Sequence, residues 1–134
     1  MVDVVYEDNH LIIVNKSSSD IVQGDKTGDQ PLSEKVAEFL RIQYNKPGDA
    51  FIGVVHRLDR PVSGLVVFAK TSKALARMNE LFREDKVKKT YEAIVKNPPP
   101  ALQGELVHFL VRNPQKNKSF AYDKVQKNAK EAKL

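Results

Sequence analysis

Apolar positions along the chain fall into short runs whose spacing changes from one segment to the next. Val2 to Tyr6 and His10 to Val14 are β-prone runs, and the polar link Glu7-Asp8-Asn9 between them reads as a tight turn, so a hairpin is predicted. Lys16 to Gln30 is rich in Ser, Asp and Gly without an apolar period, which predicts a loop that is long for a compact domain. Pro31 suits a first helical turn, and Leu32, Val36, Phe39 and Leu40 then recur at helical spacing until Asn45-Lys46-Pro47-Gly48. Phe51 to Val55 and Leu65 to Ala69 predict two strands around a polar segment, His56 to Gly64. Thr71 or Ser72 can cap a second helix with Leu75, Met78, Leu81 and Phe82 on its apolar face. Lys89 to Val95 alternates as a strand, Asn97-Pro98-Pro99-Pro100 is a stiff connector, and Leu106 to Val111 is a last strand candidate before the sequence turns polar. Strands and helices mix without a regular βαβ alternation. The predicted class is α+β, with a mixed, largely antiparallel sheet and flanking helices.

At 134 residues, 41% of them hydrophobic, the chain suffices for one domain with a core and is short for two. It contains no Cys, which excludes disulfides and thiolate metal sites and fits a reducing cytoplasm. Met1 to Asp8 has neither a basic stretch nor a long apolar run, so no secretory signal is expected. No apolar run approaches the roughly 18 residues of a membrane span. The pI of about 9.4 is less informative than where the charge sits. From Arg112 onward there are seven Lys/Arg against two Asp/Glu, and residues 1–111 hold fifteen of each. Residues 112–134 thus form a basic tail, which can be a phosphate-binding arm or a solvated, flexible terminus; charge alone leaves both open.

His56-Arg57-Leu58-Asp59-Arg60 places a carboxylate between two guanidinium groups on a short loop. Two nearby cations favour an ionised Asp59, available as nucleophile or base, and the same cations can hold RNA phosphates. On composition alone, an ordinary Arg–Asp salt bridge fixing a turn is the commoner reading of such a loop. His10, His56 and His108 have no metal-ligand spacing and read as hydrogen-bonding residues. Tyr91 reads as a core or edge-strand aromatic, and Lys16 as a turn cation.

The continuous segment Gly53-Val54-Val55-His56-Arg57-Leu58-Asp59-Arg60-Pro61-Val62-Ser63-Gly64-Leu65-Val66-Val67-Phe68-Ala69-Lys70-Thr71 resembles the signature of the RluA-type pseudouridine synthases. Tyr6-Glu7-Asp8-Asn9-His10 through Val14-Asn15-Lys16 resembles that family's opening hairpin, and Val87-Lys88-Lys89-Thr90-Tyr91-Glu92-Ala93-Ile94-Val95 its tyrosine motif. The resemblance covers essentially the whole chain. It implies an RNA uridine isomerase acting on ribosomal or transfer RNA in the cytoplasm, without metal or organic cofactor and without a membrane. Asp59 matches the family's essential aspartate and Tyr91 its active-site tyrosine. Arg57, Arg60, His56 and Lys16 are then expected at the substrate, the two arginines filling the gap left by a flipped nucleotide or contacting phosphate.

Two departures stand out. Ser17-Ser18-Ser19-Asp20 follows Asn15-Lys16 where the family has Pro and then Gly, and Gln23 stands where His is common. The later Thr-Gly-Arg and His-Gln-Ile-Arg type motif, whose basic residue pairs with the aspartate, does not occur. The expectation is therefore a catalytic domain, residues 1–134, that is incomplete at its C-terminus and able to self-associate through an unpaired sheet edge. The alternative function is a basic RNA-binding or assembly fragment without catalysis.

Overall fold

The computed structural model describes residues 1–134, which gather into two compact units, Met1–Thr90 and Tyr91–Leu134. In the first unit, β1 (Val4–Glu7), β2 (Leu11–Lys16), β3 (Gly53–Val54) and β4 (Gly64–Ala69) form one antiparallel sheet in the order β1-β2-β4-β3. Two helices, α1 (Leu32–Gln43) and α2 (Ser72–Arg83), complete it.

The β1–β2 hairpin forms where the sequence predicts it, and Asp8 builds its turn. One Asp8 carboxylate oxygen accepts from the backbone N–H groups of His10 and Leu11, both at 2.7 Å, while Tyr6 donates its hydroxyl to the other oxygen at 3.0 Å. Alternation along β2 buries Ile12 and Val14, and the register places them opposite Phe68 and Val66 of β4. These four side chains meet Leu32, Val36 and Leu40 of α1 in a core that also takes in Val22 and Ala50. α1 therefore forms for the reason its spacing implied: its buried positions lie on one stripe.

The Lys16–Gln30 segment is a loop, but it is anchored. Ile21 and Val22 are buried, and their carbonyls accept from the N–H groups of Leu32 at 2.7 Å and Ser33 at 3.1 Å. Those contacts satisfy two of the orphan donors of α1, whose N-cap Pro31 has no side chain able to do so. At α2 the cap is Thr71, whose hydroxyl oxygen accepts from the Ala74 N–H at 3.1 Å. Ala69 is fully buried, and Gly53 lies opposite it across the β3–β4 pair. A methyl at Gly53 would meet the Leu75 side chain of α2 at 2.8–3.0 Å, so this glycine sets the approach of α2 to the sheet.

The second unit contains β5 (Val107–Asn113), β6 (Lys118–Tyr122) and β7 (Lys130–Lys133), antiparallel in the order β6-β5-β7. Two expectations are corrected here. Residues 89–95 form no strand, because no other strand hydrogen-bonds to them, and residues 91–100 are exposed throughout. A period-2 pattern marks what could enter a sheet, but a partner decides whether it does. The polar region after Val111 is structured: it supplies the end of β5 and all of β6 and β7. Its first turn is held by Asn113, whose side-chain oxygen accepts from the Lys116 N–H at 3.1 Å, and by Asn117 at φ 49°. The α+β class and the antiparallel sheet agree with expectation.

Gly53→Ala should lower stability by about 1–3 kcal/mol through overpacking against Leu75, measured as a urea midpoint shift at constant slope. In a Leu75→Ala background the same change at Gly53 should cost less. A change of less than about 0.5 kcal/mol in the single variant would show that α2 shifts freely on the sheet.

Candidate functional site

The site candidates of the first unit converge on the nine residues between β3 and β4. Leu58 packs against the core from inside this loop, and the Asp59 carbonyl accepts from the Val62 N–H at 2.9 Å, closing a turn. Gly64 re-enters the sheet at φ 135°, a backbone conformation that side-chain-bearing residues rarely adopt. The result is an exposed Asp59 side chain at the crest of a loop pinned from below.

Lys16 does much of the pinning. Ile12, Val14 and Lys16 share one face of β2, so the lysine faces inward and is only 1% exposed. Its Nζ donates to the carbonyls of Ser17 at 2.9 Å and Arg60 at 3.1 Å, joining the end of β2 to the residue after Asp59. Burial pushes this ammonium below its ordinary pKa. The nearby charge of Asp20 opposes that shift, that of Arg60 reinforces it, and that of Asp59 opposes it.

His56 holds the other end of the loop. Its Nε2 accepts from the Val67 N–H at 3.1 Å, which requires a neutral ring with the proton on Nδ1. The ring stacks on Phe82 of α2, with centroids 5.0 Å apart. Burial, and secondarily the charge of Lys89, lowers its pKa from the ordinary 6.5. Lys16 Nζ and His56 Nε2, on two residues expected among the substrate contacts, thus bond inside the protein.

The arginines divide. Arg57 is exposed and carries no ion pair. Arg60 turns to the 17–30 segment: its guanidinium donates to the Ser19 carbonyl and the Thr27 hydroxyl, each at 3.1 Å, and pairs with Asp29 at 3.0 Å and Asp25 at 3.6 Å. Neither arginine forms an ion pair with Asp59, so the expected Arg–Asp–Arg sandwich is corrected. The carboxylates of residues 25 and 29 capture one of the two guanidinium groups. Hydrogen bonds from the Thr27 hydroxyl and backbone N–H, and then Arg60 itself, hold the Asp25 carboxyl below its usual range. These partners of Arg60 were not singled out from the sequence, although Asp25-Lys26-Thr27-Gly28-Asp29 carries a turn signal, Asp followed two residues later by Thr.

Tyr91 is the first residue of the second unit and is 61% exposed. Among polar clusters away from the loop, Glu7 accepts from Lys70 at 2.6 Å and Tyr44 at 2.7 Å, tying the hairpin to α1 and β4. No group of His, Asp and Glu side chains has metal-binding geometry. No helix is long and apolar enough to cross a membrane.

With this geometry in place, comparison with known proteins is decisive about ancestry. The profile of the RNA pseudouridylate synthase family matches residues 10–134. The chain belongs to that family. It is 39% identical over 92 residues to ribosomal large subunit pseudouridine synthase C of Buchnera aphidicola from Acyrthosiphon pisum, a match spanning 69% of this chain and 27% of that protein. An uncharacterized RNA pseudouridine synthase of Haemophilus influenzae is 37% identical over 106 residues, 79% of this chain and 44% of its own length. The solved structure of human RNA pseudouridylate synthase domain containing 4 aligns over 98% of the chain and 51% of its own length, with a TM-score of 0.78 at 21% identity, and so shares the fold. The chain thus spans less than half the length of these two curated relatives.

The bonds of Lys16 and His56 beneath the loop can each be tested. Lys16→Met keeps the buried stem and strands two carbonyls, and should lower stability by about 1–3 kcal/mol in urea while speeding amide exchange at Ser19. An unchanged midpoint with unchanged exchange would contradict the pinning role. His56 has a folded-state pKa below its unfolded value, so the unfolded chain binds the extra proton first as pH falls. Stability linked to it is full above about pH 6.5 and declines below. The melting temperature should therefore fall more steeply from pH 7.5 to 5.5 in the parent than in His56→Gln; parallel curves would show that the imidazole does not titrate against folding.

Proposed function

We propose that this chain is the aspartate-bearing part of an RNA pseudouridine synthase that isomerises uridine in RNA, with Asp59 as the catalytic residue. The observation that carries the reading is an exposed carboxylate, free of protein partners, on a loop immobilised from beneath by Lys16, His56 and Leu58. Such a group can reach a substrate atom without first breaking an ion pair, while its backbone stays fixed.

In the proposed reaction the carboxylate attacks the ribose C1′ or assists loss of uracil as an anion. The N1–C1′ bond breaks, the base rotates, and C5 bonds to C1′, releasing the Asp59 carboxylate where it had attacked. The proton leaves C5 and N1 gains one, so substrate and product are isomers and no redox partner is needed. Tyr91 is assigned to pack on the target base and assist removal of the C5 proton. Since C1′ and C5 cannot be worked on inside a stacked helix, the nucleotide must be flipped out, and the exposed Arg57 is assigned to fill the gap or hold a phosphate. Several relatives are named for the ribosomal large subunit, which makes ribosomal RNA the first substrate to test and transfer RNA the second. A cytoplasmic location goes with either.

The test is tritium release from C5-labelled uridine in ribosomal and transfer RNA by the protein of the full reading frame, with and without Asp59→Ala. Loss of at least about a thousandfold in rate is expected, as for removal of a nucleophile. Undiminished release would remove Asp59 from the chemistry. Salt-sensitive RNA binding with no pseudouridine formed would favour the non-catalytic RNA-binding reading, which the cationic residues 112–134 support.

A further inference from the structure

Arg60 is fastened differently at its two ends. Its backbone carbonyl accepts from Lys16 Nζ at 3.1 Å and from the Ser19 N–H at 2.8 Å, so the main chain beside Asp59 is held by two hydrogen bonds, one of them from a buried lysine. Its guanidinium also donates to the Ser19 carbonyl through Nη1, but its ion-pair partners lie further along the segment. Asp29 and Asp25 pair with Nη2, and their side chains are 60% and 41% exposed against 38% for the arginine. Ion pairs this solvated each contribute little to stability, because water competes for both charges. The head group can therefore change partners without moving the catalytic loop.

The segment carrying the two carboxylates is built to yield. Ile21-Val22 and Pro31-Leu32 are buried at its ends, while residues 23–30 between them are all exposed. Gly28 at φ 77° and the turn of Thr27 on Asp25 shape this crest, and no apolar side chain ties it down. Both carboxylates crowd the same nitrogen, Nη2, and so place anionic oxygens where an oxygen of a phosphodiester would pair with this guanidinium.

We propose that Asp25 and Asp29 hold Arg60 in place of an RNA phosphate, and that RNA binding exchanges these carboxylates for a backbone phosphodiester while the 23–30 crest lifts. The segment is thus an acidic cover over one anion-binding residue of the site. It disfavours weak anions and yields to a polyanion whose other phosphates are held elsewhere. This inference rests on the RNA reading above and assigns to Arg60 a partner exchange that reading does not require.

The experiment is a thermodynamic cycle on the full chain, using anisotropy of a fluorescein-labelled single-stranded oligouridine at fixed salt. Asp25→Asn/Asp29→Asn keeps the shape of the crest and removes its charge. It should tighten RNA binding about three- to tenfold, the range expected of two exposed ion pairs. Glu34→Gln/Glu80→Gln, which removes two exposed charges from α1 and α2, measures the general gain from making the chain more cationic. In the Arg60→Gln background the gain from Asp25→Asn/Asp29→Asn should shrink to that control value. An equal gain with and without Arg60 would overturn the exchange and leave the RNA reading standing. No binding of RNA by the unaltered chain would overturn both.

Discussion

Because β2 alternates strictly, the residue that follows Ile12 and Val14 on the buried face is Lys16, and its ammonium has to be satisfied inside the protein. A buried cation with no partner would cost several kcal/mol, so the surrounding chain must bring acceptors to it. The acceptors are the carbonyls of Ser17 and Arg60, which come from segments more than forty residues apart. Satisfying one lysine therefore fixes where the 17–30 segment leaves the sheet and where the loop after Asp59 passes over it. Gly64, opposite Lys16 in the β2–β4 register, lets the same loop re-enter β4 with a positive φ. The exposed carboxylate at the crest is held still by a charge that never reaches the surface.

Much of this was legible in the sequence, and the reasons differ by element. The hairpin, α1, β4 and α2 carry patterns that a single local rule explains: a turn aspartate, a helical stripe, an apolar run, a threonine cap. The loop that carries Asp59 was legible as a polar segment between two apolar runs. The direction of Lys16 was implicit in the period-2 alternation of β2, but reading it required placing the strand end at residue 16 rather than 14. By contrast, the alternation of residues 89–95 meets no pairing strand, whereas β6 and β7, in the polar stretch after Val111, both pair with β5. Strand formation is decided by partners distant in sequence, so local pattern misjudged both in opposite directions.

The arginines show the same limit within the site. Spacing put Arg57 and Arg60 on either side of Asp59, and proximity in sequence suggested that both would neutralise it. Side-chain direction alternates along an extended loop, and acceptors elsewhere compete for any guanidinium within reach. Arg60 finds four oxygens on the 17–30 segment. That segment contains no proline, and the Arg60 contacts supply part of its order through a side chain rather than a ring. The segment remains positioned, but through bonds that an anion can take over.

Consider what this arrangement asks of a substrate. Asp59 lies on the loop bearing Arg57, whose side chain is unpaired, and Arg60, whose side chain is paired to carboxylates. On the loop an approaching polyanion meets one unpaired guanidinium beside the Asp59 carboxylate, and Arg60 is already offset by Asp25 and Asp29, so Coulomb attraction near Asp59 is weaker than the motif alone implies. Residues 112–134, with five more cations than acids, lie outside that loop and hold the whole net charge of the chain. Long-range attraction and local discrimination thus reside in different stretches of sequence. The first depends on charge count and is screened by salt; the second depends on whether a phosphate can displace Asp25 and Asp29 from one guanidinium, which turns on geometry.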